Sequence, residues 1–441
     1  MRNISYAQAK NYREKIVNFE NIAECRVCKN QNLHEVIHIG EQFISPTFVK
    51  SNENNPLSEI KVPLTVLLCE STGGSKGCGL VQLKQTTDPK LLYTDYFYRS
   101  ATNSTMVLDL AKVVSKALGK AKVEEGDVVV DIAANDGTLL RNYPSNLIRI
   151  GVEPAKNIDW STLDGEIKII NDFFNEESLS EVLNGRKVKL FTCCAMFYDL
   201  DDPNPFVKTV KKTLDKNGVW CIQLSYVLSM LRNMNFYDIC HEHLEYYSLE
   251  TLNFLMEKHG LTIFDAELNE VNGGSALVFI SHVENQYEKS SKLQDLLRKE
   301  TSADLLSRQT YLDFASRIEN LKAKVYSTIK TEVESGGYVV GLGASTKGNV
   351  LLQFFGLTKA YIPFISEINP EKIGLRTLGS DIPLVSDSSI NEMKPTMKLV
   401  LPWYFKTEII ARESDYLRGG GKLFFPMPYP HIVTTTGETQ I

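Results

Sequence analysis

Val128-Val129-Val130-Asp131-Ile132-Ala133-Ala134-Asn135-Asp136-Gly137 reads as an apolar strand running into a tight turn and then a helix. Four further apolar runs, at 148–152, 188–192, 219–224 and 275–280, read as strands, and residues 104–119 and 204–215 read as helices between them. Strands alternating with helices argue for an α/β layered sheet. A polar helical stretch at about 286–333 leads to a second α/β pattern, which opens with Gly337-Tyr338-Val339-Val340-Gly341-Leu342-Gly343-Ala344-Ser345-Thr346-Lys347-Gly348-Asn349. It continues through apolar runs at 361–365, 399–403 and 422–426, so the two halves are expected to echo one another.

At 441 residues the chain is too long for one ordinary core. Three domains are expected, at 1–98, 99–285 and 286–441, the last including the helical linker. A hydrophobic fraction of 43% is that of a globular protein, and no apolar run is long enough to cross a bilayer. Met1-Arg2-Asn3-Ile4-Ser5-Tyr6 lacks the basic-then-apolar layout of a signal peptide, so a cytoplasmic protein without a membrane partner is expected. A net charge of -6 with no long basic block leaves no footprint for nucleic acid. The expected partner is a small molecule; the oligomeric state is not legible.

Eight cysteines fall into two sets. In a reducing compartment the first, Cys25, Cys28, Cys69 and Cys78, reads as a metal quartet rather than a disulfide framework. Four thiolates satisfy tetrahedral zinc and leave no position for water, so such a zinc is structural. Cys25-Arg26-Val27-Cys28 has knuckle spacing, whereas Cys69 and Cys78 are separated by eight residues that include Gly73-Gly74. The competing reading is four buried thiols in a small core. Cys193 and Cys194 end an apolar strand and read as buried packing.

The densest chemistry lies in Cys240-His241-Glu242-His243-Leu244-Glu245-Tyr246-Tyr247, where two imidazoles, two carboxylates and two phenols occupy eight residues. Such a cluster suits proton transfer. A metal pair at His241 and His243, or a purely structural cluster at the start of a helix near Ser248, remains open from the residues alone.

In a doubly wound sheet, ligands bind beyond the carboxyl ends of the strands. Asp131, Asn135 and Gly137 follow the first strand, and Glu153 ends the second in a position suited to a ribose diol. Asp172 and Phe173 suit the amino edge and face of adenine. Ala133 and Ala134 stand where a dinucleotide site would carry G-x-G, which argues against NAD and fits S-adenosylmethionine, a cofactor without a pyrophosphate. Gly341 and Gly343 with Lys347 admit a phosphate reading, and helix–strand packing explains the glycines as well. Asn272-Gly273-Gly274-Ser275 reads equally as a substrate loop or a plain turn.

Asp131 through Leu140, DIAANDGTLL, resembles the S-adenosylmethionine motif of the nucleotide-sugar C-methyltransferases that make branched deoxysugars. The cysteine quartet resembles their N-terminal zinc module, His241-Glu242-His243 with the following Tyr-Tyr-Ser their catalytic segment, and Gly343 through Asn349 the opening of their C-terminal domain. The order and spacing match across nearly the whole chain. The resemblance implies a class I, Rossmann-like methyltransferase domain between a small zinc domain and a second Rossmann-like domain. It implies transfer of a methyl from S-adenosylmethionine to the carbon beside a keto group, on a deoxysugar linked to a nucleoside diphosphate. It assigns the base to His243 and an orienting or polarising role to Glu242, with His241 beside them and the substrate in the cleft before the C-terminal domain. Tyr246, Asn272, Lys347 and Asn349 are the expected substrate contacts.

One departure stands out. The better-known sugar enzymes carry tyrosine immediately before His-Glu-His, whereas this chain has Cys240 there, and a thiol is a poor hydrogen-bond donor. Either another phenol, Tyr98, Tyr246 or Tyr247, takes the role, or the substrate differs from the usual 4-keto sugar. An O- or N-methyltransferase and a non-enzymatic cofactor-binding scaffold are the alternatives.

Overall fold

The computed structural model describes residues 19–50, 57, 60–71, 77–93, 96 and 98–441. Met1 to Tyr6 and the Gly73-Gly74 pair, both used in reading the sequence, lie outside them. Among the described residues no helix is long and apolar enough to cross a membrane.

The strand Val128–Ile132 is buried at every position, which is why its valines run unbroken rather than alternating with polar residues. It sits inside a seven-stranded sheet of order Leu261–Asn269, Ser275–His282, Leu214–Ser225, Val188–Cys194, Val128–Ile132, Ile148–Val152, Lys168–Ile170. The last five are mutually parallel, and the first two form an antiparallel edge. Strand order reverses between Val128–Ile132 and Val188–Cys194, so a crevice opens past the carboxyl ends of these two strands. The helix Ser104–Ala121 covers the sheet with Leu110, Val113, Val114 and Ala117, and Asn103 caps it by accepting from the Thr105 and Met106 amides.

A second seven-stranded sheet repeats the plan: Leu384–Ser386, Ile365–Glu367, Val339–Leu342, Met397–Val400 and Lys422–Phe425 are parallel, and His431–Thr434 with Gly437–Gln440 adds an antiparallel hairpin. The polar stretch before it is two helices, Ser291–Ser302 and Arg308–Glu334. The longer buries Tyr311, Phe314, Ile318, Leu321, Val325 and Ile329, a stripe spaced three and four apart that lies against the strand Leu33–Phe43.

The N-terminal module is a four-stranded antiparallel sheet, and only three of its strands are its own. Leu33–Phe43, Lys61–Cys69 and Val81–Leu83 are joined at the edge by Glu245–Tyr246, from the segment richest in titratable groups. Phe48–Lys50 in turn pairs with Leu375–Thr377 of the C-terminal unit. One apolar cluster runs through all three units, from Leu64 and Val66 through Val130 and Phe236 to Val350 and Phe355.

Candidate active site and zinc centre

The turn after Val128–Ile132 holds three left-handed residues in five, Ala133 (φ 60°), Asn135 (φ 49°) and Gly137 (φ 76°). For alanine this conformation is costly, and the neighbouring chain holds it. Asn135 donates its side-chain amide to the Tyr98 carbonyl at 3.1 Å and accepts from the Ser100 amide at 3.0 Å, while Asp136 accepts from the Ala101 amide at 2.9 Å. Glu153 accepts from the amides of Asn135 at 2.8 Å and Ala155 at 2.9 Å. Asp131 turns inward, accepting from the Thr192 hydroxyl at 2.7 Å; burial pushes its carboxyl up to about 7. It thereby ties the two central strands together.

Asp172 and Phe173 are exposed beside this turn, the phenyl at 39%. Glu153, Asp172 and Asp136 bring carboxylates to the mouth, with Arg99 among them. Carboxylates there accept ribose hydroxyls and tolerate a sulfonium, so these residues fit S-adenosylmethionine. Tyr98, 42% exposed, borders the turn, and its ring neighbours that of Tyr96 at 6.5 Å.

The segment Asp238–Tyr247 is bent rather than extended at its histidines, with the His243 amide donating to the Cys240 carbonyl at 3.3 Å. The bend sends the two rings different ways. His243 places Nδ1 2.9 Å from the Asp238 carbonyl, and because a carbonyl only accepts, Nδ1 carries the proton and Nε2 keeps its lone pair. The edge of Tyr198 meets its ring at a centroid distance of 4.4 Å. Burial, reinforced by the Lys347 charge, pushes His243 down to about 3, so it is neutral. His241 faces Ser45 of the N-terminal module, at 2.9 Å from Nδ1 to Oγ, and burial pushes it down to about 4. The divergence removes the metal-pair arrangement: among the described residues only the four cysteines cluster as metal ligands.

Glu242 is buried, and burial pushes its carboxyl up to about 7 against the Thr346 hydroxyl and the Lys347 charge. Its Oε1 has no partner within the protein. Lys347 pairs with Asp238 at 2.7 Å and lies over the rings of Tyr237 and Tyr404 at 5.2 and 5.9 Å. Its charge is therefore already matched by a carboxylate, and it links the C-terminal helix Thr346–Phe355 to the His-Glu-His segment.

Of the other expected substrate contacts, Tyr246 donates to the His243 carbonyl at 3.1 Å, and Asn349 is buried with its amide on the Ser45 carbonyl at 2.8 Å. Asn272, Gly273 and Gly274 all have positive φ. A Cβ on Gly273 would meet the Tyr237 hydroxyl at 2.7 Å, and one on Gly274 the Ser229 Cβ at 2.7 Å, so close packing requires both glycines. The turn thus supports Tyr237–Asp238 from below. Tyr247 donates to Glu245 at 2.8 Å. Cys240 is fully buried, and burial holds its thiol well above the usual range. Cys193 is also buried in the core, and Cys194 packs partly buried against the separate apolar cluster that holds Leu110, Val113 and Cys221. Sequence reading missed Asp238 and Tyr198, and also Tyr93, whose hydroxyl donates to the Glu242 carbonyl at 3.3 Å. Asp238 stood two residues before Cys240, within sight; Tyr198 and Tyr93 come from distant segments and carried no local signal.

At the other end of the N-terminal sheet, all four cysteine Sγ atoms lie within 4.8 Å of one another, with Cys25–Cys78 at 3.6 Å and Cys28–Cys69 at 3.5 Å. Zn–S bonds of about 2.3 Å in a tetrahedron put sulfurs about 3.8 Å apart, so the quartet fits zinc. Arg26, inside the knuckle, donates to the Leu83 carbonyl and to Thr86 Oγ1 at 2.5 and 2.8 Å, which binds the knuckle to the strand that carries Glu245–Tyr246.

Three family models tile the chain in order: "Putative zinc binding domain" over 25–93, "Methyltransferase domain" over 103–266 and "C-methyltransferase C-terminal domain" over 270–428. The chain is 29% identical over 415 residues to C-methyltransferase NovU of Streptomyces niveus, spanning 94% of this chain and 97% of that one. Among solved structures, magnesium protoporphyrin IX methyltransferase from Synechocystis PCC 6803 with bound SAH aligns at 11% identity and a TM-score of 0.32, over 43% of this chain and 90% of that one. An S-adenosylmethionine-dependent methyltransferase from Clostridium acetobutylicum aligns at 13% and 0.30, over 40% and 92%. Scores this low carry no argument, and the fold rests on the strand order and the family models. With a left-handed turn at the sheet's switch point, a zinc-fitting quartet and these three models in sequence, the chain is an S-adenosylmethionine-dependent methyltransferase built from a zinc-binding module, a methyltransferase domain and a C-methyltransferase C-terminal domain.

Proposed function

We propose that the enzyme methylates the carbon beside the keto group of a deoxysugar linked to a nucleoside diphosphate, through an enolate that His243 generates. The observation that carries this reading is the tautomer of His243: Nδ1–H is committed to the Asp238 carbonyl, so a neutral imidazole presents a free Nε2 lone pair. S-adenosylmethionine supplies an electrophilic methyl on a sulfonium sulfur. Nε2 takes the proton from the carbon next to the carbonyl, and the electrons of that C–H bond pass into the enolate. The carbon so activated would accept the methyl that bound S-adenosylmethionine supplies, and the imidazolium of His243 gives its proton to water. Burial weakens His243 as a base, but negative charge developing on the enolate stabilises the imidazolium in a low-dielectric site.

Glu242, protonated up to about pH 7, is the donor toward the enolate oxygen, which suits its unpartnered buried Oε1. This assigns to a carboxylic acid the role that tyrosine has in relatives where Cys240 stands here. Tyr246 and Tyr247 both donate elsewhere. The matching NovU description, a C-methyltransferase, supports carbon as the acceptor atom. The test is incubation of nucleoside-diphosphate 4-keto sugars with enzyme in heavy water. Deuterium should enter beside the carbonyl without S-adenosylmethionine, and a methyl on carbon should form once it is added. Methylation without exchange would sink the enolate and favour an oxygen or nitrogen acceptor.

A further inference from the structure

The loop between Leu33–Phe43 and Phe48–Lys50 holds the catalytic segment with one hand and the C-terminal domain with the other. Its Ser45 is fully buried. The Ser45 amide lies 3.4 Å from His241 Nδ1, and since an amide only donates, Nδ1 is the acceptor; the Ser45 hydroxyl, 2.9 Å away, therefore donates to the same atom. The Ser45 carbonyl accepts from Asn349 at 2.8 Å. One helical turn on, Gln353 accepts from the Phe43 amide at 2.8 Å and donates to the Phe43 carbonyl at 3.3 Å, so the loop and the helix Thr346–Phe355 are laced at two points on one face.

These bonds matter because, among the described residues, the only other groups acting on the ring of His241 are the backbone carbonyls of Val62 and Gln42. Its Nε2 makes no well-aligned hydrogen bond, and the bend at Cys240–His243 follows directly from it. Release of Nδ1 would leave the buried ring held only by those two carbonyls, two residues from His243. The Tyr93 hydroxyl adds a hold on the Glu242 carbonyl, and the pairing of Glu245–Tyr246 with Val81–Leu83 anchors the segment beyond His243. His243 is thus held from both sides by the zinc-bearing module.

We infer that Ser45 is a positioning residue for methyl transfer: through His241 it fixes the bend that presents His243, and through Asn349 it ties that bend to the C-terminal domain. The catalytic half of this inference rests on His243 acting as proposed above; the structural half does not.

The test is a double-mutant cycle of Ser45→Ala and His241→Leu in the full-length zinc-loaded enzyme, with His241→Gln as the variant that keeps an acceptor for the Ser45 hydroxyl. Each of the first two should lower kcat about tenfold, the size expected for one buried hydrogen bond, and the double variant should be no worse than either. Affinity for S-adenosylmethionine should stay within twofold, and His241→Gln should keep more than a third of kcat. Amide exchange over 238–247 should speed up in Ser45→Ala while that over 128–132 does not change. Losses that multiply to about a hundredfold, or Ser45→Ala within twofold of wild type, would overturn the catalytic half. Unchanged exchange over 238–247 would overturn the inference whatever the kinetics show. If the wild-type enzyme proves inactive on keto sugars, the exchange measurement still decides whether Ser45 holds the segment.

Discussion

His243 gives its Nδ1 proton to the backbone carbonyl of Asp238, and the side chain of that same Asp238 takes the ammonium of Lys347 at 2.7 Å. One residue of the middle domain thus sets the tautomer of the base while anchoring the helix of the C-terminal domain. His243→Gln keeps a polar side chain of similar reach but removes the basic nitrogen. It should lower kcat by about a thousandfold, within the range for loss of a general base, and leave S-adenosylmethionine affinity within threefold by calorimetry. Near-normal turnover would remove His243 from the chemistry.

Lys347→Met should act differently. It leaves the Asp238 carbonyl in place but unpairs a buried carboxylate, a change that costs about 3–5 kcal/mol when no other partner is found. A melting temperature lowered by several degrees is expected. Unchanged stability would mean that the ion pair is not formed in solution.

The two acid–base groups titrate far apart, and the sign follows from their directions. His243, pushed down to about 3, is already neutral throughout the working range, so kcat/KM should show no rise near pH 6.5. Glu242, pushed up to about 7, donates only while protonated, so kcat/KM should fall as pH rises through about 7. Glu242→Gln, whose amide still donates, should keep measurable activity and lose that limb. A profile that instead rises through 6.5 would show a base of ordinary imidazole pKa and contradict this arrangement.

The central parallel strands were legible because burial on both faces leaves unbroken apolar runs such as Val128–Ile132, whereas the short, partly exposed parallel strands Lys168–Ile170 and Leu384–Ser386 at the sheet edges were not. The edge strand Leu261–Asn269 was not, since Thr262, Asp265 and Glu267 interrupt it and its register shifts between Ile263 and Asp265. Glu153 shows how an expected site residue can be placed by sequence and still surprise: it stands at the end of its strand, yet in this structure it is satisfied by the amides of Asn135 and Ala155. Glu367 does the same at the matching position of the C-terminal sheet, accepting from Ala344, Ile368 and Asn369, so the two halves echo one another down to a single carboxylate. The pairing of Glu245–Tyr246 with Val81–Leu83 joins segments more than 160 residues apart, and nothing local announces it.

Ala133 carries φ 60°, a region where a side chain costs about 1–2 kcal/mol and glycine costs nothing steric. Ala133→Gly should therefore raise the melting temperature by a few degrees, less the entropy that glycine adds to the unfolded chain. Gly273→Ala, at φ 89° and facing the Tyr237 hydroxyl, should lower it and weaken turnover through Tyr237–Asp238. The opposite order of the two melting temperatures would show that the cofactor turn is not held as described.

The zinc centre should matter for catalysis although it lies on the far end of the sheet from the base. Cys78 immediately precedes the Gly79-Leu80 approach to Val81–Leu83, and that strand carries Glu245–Tyr246, two residues past His243. Purified protein should contain one zinc per chain by elemental analysis. Removing it leaves four sulfurs crowded within 4.8 Å with no cation to hold them as thiolates, and forfeits a binding free energy of about 10–16 kcal/mol in small zinc modules. Cys78→Ser, or stripping with a chelator, should lower the melting temperature by about ten degrees and lower kcat well before S-adenosylmethionine affinity falls, because the methyltransferase sheet binds its cofactor on strands the module does not pair with. A metal-free enzyme that turns over normally would sever the link between the quartet and the catalytic segment.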